Sequence, residues 1–323
     1  MIMHALVFDS FGGPEVLSYR EVADPAVPPG HIQLAMRAIG LNFADIYRRK
    51  GNYVLAGKAP FIAGYEGAGE VIAVGEGVEG IALGDRIGFA DVPFANATRV
   101  TVPLERAIPL PVDIGFEAAA ALLLQGLTAQ YLVEDSYSVR AGDTVLVQAA
   151  GGGVGQLLIR LAIARGASVI AMASTLEKQA LAKAAGAAHA LGYDEGWPDK
   201  VRTLSAGGVN VAYDSVGITL LDSLSAVRSR GTLVTFGMAG GPAPLVDPRY
   251  LMENSKTVVG GDLWDFLTDR QQRLSRAERL FQALRAGIIE RPRIETFALS
   301  DGAAAHARLE DRSFSGKIVL LPE

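Results

Sequence analysis

The sequence predicts an α/β protein in which a doubly wound parallel sheet is inserted into a β-rich lobe built from both chain ends. Three observations predict it. Apolar runs alternate with helix-like stretches from Asp143 to Asp262, the rhythm of βαβ crossovers. Ahead of them, short apolar runs are punctuated by glycine; after them, strand-like segments return in "RIETFAL" and "GKIVLLP". The implied domains are residues 1–123 with 265–323, and residues 124–264. With 323 residues, half of them hydrophobic, the chain is long enough for two cores.

Taken in order, "MIMHALVFDSFGGPEVL" reads as a strand and a turn, without the basic and long apolar regions of a signal peptide. "HIQLAMRAIGLN" partly alternates, and "GAGEVIAVGEGV" and "GDRIGFADV" are short strand-like runs, together a twisted antiparallel sheet or partial barrel. The period becomes helical at "FEAAAALLLQGLTAQYLVED", whose unbroken apolar run, 118–124, is too short to span a bilayer. "TVLVQAA", "SVIAMA", "VNVAYDSVG", "GTLVTFG" and "KTVVGGD" then alternate with helical stretches such as "LEKQALAKAAGA" and "LLDSLSAVRS". The last of these strands is apolar and would leave an open edge, which a two-fold partner could close, so a homodimer is expected. One amphipathic segment, "RLSRAERLFQALRAGII", precedes the return to strands.

Composition narrows the partners. A net charge of −5 with no block of like charges gives no footprint for nucleic acid or for a polybasic membrane contact. Without cysteine there is no disulfide, Cys-ligated zinc or thiol nucleophile, and the cytoplasm is the expected compartment. His4, His31, His189 and His306 are scattered, with no pair at a metal-ligand spacing.

The most informative stretch is "VLVQAAGGGVGQLLIRLA", 145–162. A strand enters a glycine turn, and Val154, Leu158, Leu161 and Ala162 share one face of the helix that follows. At such a turn backbone N–H groups lack partners and the helix dipole favours an anion, so a dinucleotide pyrophosphate is expected there. Against G-x-G-x-x-G, Ala150, Gly152 and Gly155 take the three glycine positions. An NAD site wants an acid at the end of the second strand to accept from the ribose 2′-OH. Here "SVIAMAST" ends in Ala173, Ser174 and Thr175, with Lys178 one turn on. Hydroxyls and an ammonium suit a 2′-phosphate, so NADPH is the expected cofactor. The competing account of Ser174 and Lys178 is a helix N-cap and a solvated lysine.

The order β-rich lobe, "GYEGAGEV", "AGGGVG", β-rich return resembles the medium-chain dehydrogenase/reductase superfamily over essentially the whole chain. In its zinc alcohol dehydrogenases, position 65 is a zinc-binding His and position 42 a zinc-binding Cys; here they are Tyr65 and Asn42, and the four-cysteine structural lobe is absent. No metal is therefore expected. "FGGPEVL", "AIGLNFADIYRRKGNY", "LLLQGLTAQYLV", "YDSVG" and "SGKIVLLP" resemble the zinc-free NADPH:quinone oxidoreductases of the zeta-crystallin type. That resemblance implies a Rossmann domain inserted in a GroES-like catalytic domain, metal-free reduction of quinones by NADPH, and a homodimer.

It also implies roles for particular residues. Asn42 and Tyr47 would lie near the nicotinamide, with Asp45 on the same wall, and Gln125 and Thr128 would approach the ribose and phosphates. Gly152, Gly153 and Val154 would line the pyrophosphate. Ser174, Thr175, Lys178 and Tyr193 would hold the 2′-phosphate; Val216, Phe236, Gly237 and Lys317 would complete the cofactor site. The catalytic candidates are Asn42, Asp45, Tyr47, Tyr53 and Gln125, although many relatives carry Lys at 125. Segment 260–269 departs from the family pattern. Bland accounts stand beside these: Asn42 and Asp45 as caps of the helix "FADIYRR", Tyr53 as a half-buried aromatic, Tyr65 and Glu66 as packing remnants of a lost metal site.

A quinone is electron-poor enough to accept hydride without a Lewis acid, its protons coming from Tyr47, Tyr53 or solvent. Two alternatives remain, a zinc-free reductase of activated C=C bonds with Tyr53 as proton donor, and a non-catalytic NADPH-binding protein of the crystallin type.

Overall fold

The computed structural model describes residues 2–311 and 313–322. The chain divides into two compact units. The first comprises residues through Leu124, Asp269–Phe281 and those from Arg291 onward; the second is Gln125–Thr268 with Gln282–Glu290.

Among the described residues, the first unit holds a seven-stranded sheet and a three-stranded one. The pairings are antiparallel except for Ile294–Ala298 beside Lys317–Leu321. The long strand His31–Leu41 is central, flanked by Gly67–Val74, Arg99–Pro103 and the C-terminal strand. Side chains of alternate residues, among them Ile32, Leu34, Ile87, Phe89, Val100 and Ile318, pack into one core. At its C-terminal end the long strand loses the alternation and is buried on both faces. The helix Phe116–Tyr131 lies against it there, through Ala38, Ala120, Ala121 and Val319. The approach is so close that a Cβ on Gly40 would fall 2.1 Å from the Ala120 carbonyl oxygen. That helix continues to Ser136 and has the length and hydropathy of a membrane span, but most of it is buried in the protein, as in a core helix.

The second unit is a six-stranded parallel sheet. In chain order the strands are Thr144–Val147, Ser168–Met172, His189–Leu191, Val209–Asp214, Val227–Thr235 and Thr257–Gly260; in space the order is 3-2-1-4-5-6. Helices between successive strands make the crossovers. Continuous apolar runs such as "TVLV" fit, because a parallel strand is buried on both faces. The strand expected from Gly231 begins earlier, at Val227, and the helix before it ends at Ala226. Val227 is fully buried and pairs with Val209, and packing of that β-branched pair overrides the helical pattern of "LLDSLSAVRS".

Candidate active site

Each unit presents its own constellation. In the α/β unit the strand order reverses between the first and fourth strands, and the crevice beyond their carboxyl ends is where such sheets bind ligands. Gly152 is the N-cap of the helix Gly153–Ala164, and its own N–H donates to Ala149 O at 2.9 Å. Gly151 and Gly155 are closed to larger side chains, whereas at Gly153 the movable end of Gln125 stands in the way. A Cβ on Gly155 would meet Ala149 O at 2.7 Å, one on Gly151 the Lys178 Cβ at 2.7 Å, and one on Gly153 the Gln125 Oε1 at 2.0 Å. A Cβ on Gly152 would meet only Ala149 O, at 3.2 Å, which leaves space in front of the turn. The residue entering the turn, Ala149, has φ of +47°, and its N–H donates to the Tyr193 hydroxyl at 3.1 Å. Burial pushes the Tyr193 phenol up to about 12, partly offset by that N–H. The ring meets Trp197 edge-on at 6.3 Å.

Ser174 and Thr175 are exposed at the end of the second strand; the cap of the next helix is Thr175, whose Oγ1 accepts from Lys178 N at 3.2 Å. Ser174, Gln179, Tyr193 and Asp194 border a pocket of about 580 Å3. Thr128, Val216, Phe236 and Gly237 are half-buried. Val216 belongs to a turn built on Asp214, a residue that sequence inspection passed over.

In the β-rich unit, Asn42, Glu66 and Lys317 meet in a buried cluster. Lys317 Nζ donates to Glu66 Oε2 at 2.6 Å and to Asn42 Oδ1 at 2.7 Å; Asn42 Nδ2 donates to Glu66 Oε2 at 2.8 Å. Glu66 Oε1 accepts from Leu124 N at 2.7 Å. Glu66 is 0% and Lys317 1% exposed. The network fixes the Asn42 amide, with its oxygen on the ammonium and its nitrogen on the carboxylate. The capping account of Asp45 has a direct counterpart, since its Oδ2 accepts from Asn42 N at 2.9 Å to open the helix Phe43–Arg49. Burial pushes the Asp45 carboxyl up, against the pull of Arg48 at 3.5 Å.

Glu66 is thus more than packing, because it orders both Asn42 and Lys317. Arg48, which sequence inspection did not single out, lies 3.6 Å over the Tyr65 ring and 5.0 Å from that of Tyr53, and donates to Val54 O. The Tyr65 hydroxyl accepts from Ala56 N. Tyr47 and Tyr53 are half-buried and meet edge-on at 6.5 Å. Among the described residues no three His, Cys, Asp or Glu side chains are grouped as a metal site would require.

A doubly wound sheet with a glycine turn at its switch point, paired with a separate β-rich unit, defines an oxidoreductase of the medium-chain dehydrogenase/reductase class. The comparisons agree. Residues 28–139 match the alcohol dehydrogenase GroES-like domain and residues 153–280 the zinc-binding dehydrogenase domain. A quinone oxidoreductase of Pseudomonas aeruginosa is 40% identical, with 98% of both chains covered. A 2-haloacrylate reductase of a Burkholderia species is 35% identical over the full length of both. The Escherichia coli quinone oxidoreductase, solved in complex with NADPH, superposes with a TM-score of 0.95 at 34% identity, covering 99% of this chain and all of that one. The chain belongs to the quinone oxidoreductase family of the medium-chain dehydrogenases/reductases.

Proposed function

We propose that the protein is an NADPH:quinone oxidoreductase. The observation that carries the choice of NADPH is the end of the second parallel strand, which offers Ser174 and Thr175 in place of a carboxylate and sets Lys178 against Gly151 of the glycine turn; the choice of a quinone is supported by likeness to quinone oxidoreductases. Apart from Ala149 O nothing crowds Gly152, and the pyrophosphate is assigned to this turn, with the N–H groups of Gly153 and Val154 as donors. Ser174, Thr175 and Lys178 hold the 2′-phosphate. Tyr193 accepts from Ala149 and, protonated at neutral pH, keeps its own hydrogen to donate. Gln125 and Thr128 are assigned to the ribose and phosphates, and Val216, Phe236 and Gly237 to the rest of the cofactor.

When bound, NADPH would supply the reducing electrons, as hydride or one at a time. The chain's residues orient the reactants and exclude water. Asn42 presents an amide locked by Lys317 and Glu66; Lys317 and Asp45 also hold Asn42 in place. Tyr47 and Tyr53 stand beside the acceptor. Because a quinone's reduced oxygens can take protons from water, neither phenol is obligatory.

Likeness to the 2-haloacrylate reductase favours a second reading, reduction of an activated C=C bond, in which a carbon must be protonated. A steady-state panel of quinones, 2-haloacrylate and enoyl thioesters with NADPH separates the two, and tight NADPH binding without turnover of anything would leave a binding protein. Tyr53→Phe sharpens the choice. Single-turnover NADPH oxidation by a simple benzoquinone should slow less than about tenfold, whereas loss of an obligatory acid costs roughly 10²–10⁴-fold.

Among the described residues Thr257–Gly260 lies at the sheet edge and pairs with Val227–Thr235 alone, so we assign the homodimer to this strand; the absence of cysteine is the ground on which we assign the protein to the cytoplasm. Light scattering that finds 34.0 kDa particles at micromolar concentration would overturn the dimer.

A further inference from the structure

The α/β unit contains a buried carboxylate that the cofactor contacts above leave unused. Asp214 closes the fourth strand and is 0% exposed. Its two oxygens accept four hydrogen bonds from neutral donors. Oδ1 takes the N–H groups of Val216 and Gly217, both at 2.9 Å. Oδ2 takes the hydroxyls of Thr219 and Ser223, both at 2.7 Å. Ser223 has then spent its only proton, and its oxygen accepts from Gln148 Nε2 at 2.9 Å. Gln148 directly follows the first strand, so the chain amide–hydroxyl–carboxylate joins the ends of the first and fourth strands, the pair that flanks the switch point.

The turn held by Asp214 passes this order on. Phe236 N donates to Asp214 O at 3.0 Å, Ala239 N to Ser215 O at 3.0 Å, and Gly240 N to Val216 O at 2.8 Å. Gly217 has φ of +86°, and a Cβ there would lie 2.2 Å from Gly241 O, so the two loops fit only with glycine at this point. Three loops leaving the sheet edge, after the first, fourth and fifth strands, are therefore registered to one carboxylate. Val216, Phe236 and Gly237 sit on two of them.

We propose that Asp214, through Ser223 and Gln148, is a positioning residue for the dinucleotide: it sets the loops at the switch point in their cofactor-binding geometry without touching the cofactor. The proposal rests on the NADPH reading above. A network of this kind orients groups in advance, and that benefit appears as affinity.

Ser223→Ala cuts the link to Gln148 while leaving both turn N–H bonds in place. Asp214→Asn keeps the shape and exchanges an acceptor for a donor. Dissociation constants of NADPH and NADH for the folded proteins should rise by a common factor of about ten in each variant, the scale of a lost buried hydrogen bond. In steady state the cofactor KM should rise by that factor with kcat within about twofold. Lys178→Ala, in contrast, should weaken NADPH alone. A merely structural role would lower the melting temperature and leave the affinities of the folded protein as they were. Unchanged affinities in both variants, or a loss confined to NADPH, would overturn the positioning role. If the unaltered protein bound neither dinucleotide, the cofactor reading would fall first and this role with it.

Discussion

Glu66 in the β-rich unit and Asp214 in the α/β unit are both carboxylates removed from water, and they are stabilised in opposite ways. Glu66 faces an ammonium, Lys317, at 2.6 Å, with one amide and one backbone N–H completing its shell. Asp214 is met by four neutral donors, and among the described residues no cation bonds to it. The first arrangement concentrates the compensation in one partner from a distant part of the chain. The second divides it among small dipoles within nine residues. A charge balanced by one opposite charge fails all at once; a charge balanced by several dipoles fails by degrees.

The sharpest way to break the comparison is Lys317→Met. It strands Glu66 without its cation, and stability should fall by about 3–5 kcal/mol, read from the denaturant midpoint at constant m-value. Adding Glu66→Gln should restore part of the loss, because the charge that needed compensation is gone. A loss below about 1 kcal/mol would mean that Asn42 and Leu124 N suffice, and the two carboxylates would then be alike.

A third solution sits in the β-rich unit, where His306 is buried and its Nδ1 accepts from Arg49 Nη1 at 3.1 Å. Burial, and then the Arg49 guanidinium, push the imidazole down to about 3, so it stays neutral. The unfolded chain binds a proton below pH 6.5 that the folded protein refuses, so stability is full above that value and is shed as pH falls towards about 3. Between pH 7 and pH 5 the loss should reach about 2 kcal/mol. His306→Gln should flatten this slope; an identical slope in the variant would assign acid sensitivity to other groups.

The smallest effect is expected at Asp214. Thr219→Val removes one of four donors and should cost only about 1 kcal/mol in chemical denaturation. A loss as large as that of Lys317→Met would show that the neutral shell is as indivisible as the ion pair.

What could be read from sequence follows the same division. The parallel strands and the glycine turn were legible because their signals are local: continuous apolar runs, and small residues between strand and helix. Asp214 was legible in principle, since an acid ending a strand two and three residues before free N–H groups is an Asx-type turn. The Glu66–Lys317 pair was not. Its members lie 251 positions apart, and they meet because His31–Leu41 pairs on one side with the C-terminal strand and on the other with Gly67–Val74, which Glu66 directly precedes. Read locally, therefore, Lys317 in "SGKIV" points to the cofactor and Glu66 to a packing remnant, and neither points to the other. The capping role of Asp45 was visible in the spacing N-x-x-D, because a cap is settled within one helical turn.

The contact between Trp197 and Tyr193 gives the protein an optical reporter of its own. Trp197 is buried, and the ring it meets edge-on carries the hydroxyl that receives Ala149 N–H at the glycine turn. The indole is thus two contacts from the place proposed for the pyrophosphate. With only two tryptophans in the chain, its emission is a substantial part of the whole signal. Any ligand that shifts the turn will be written into the colour and lifetime of that emission, and occupancy can be followed without a label.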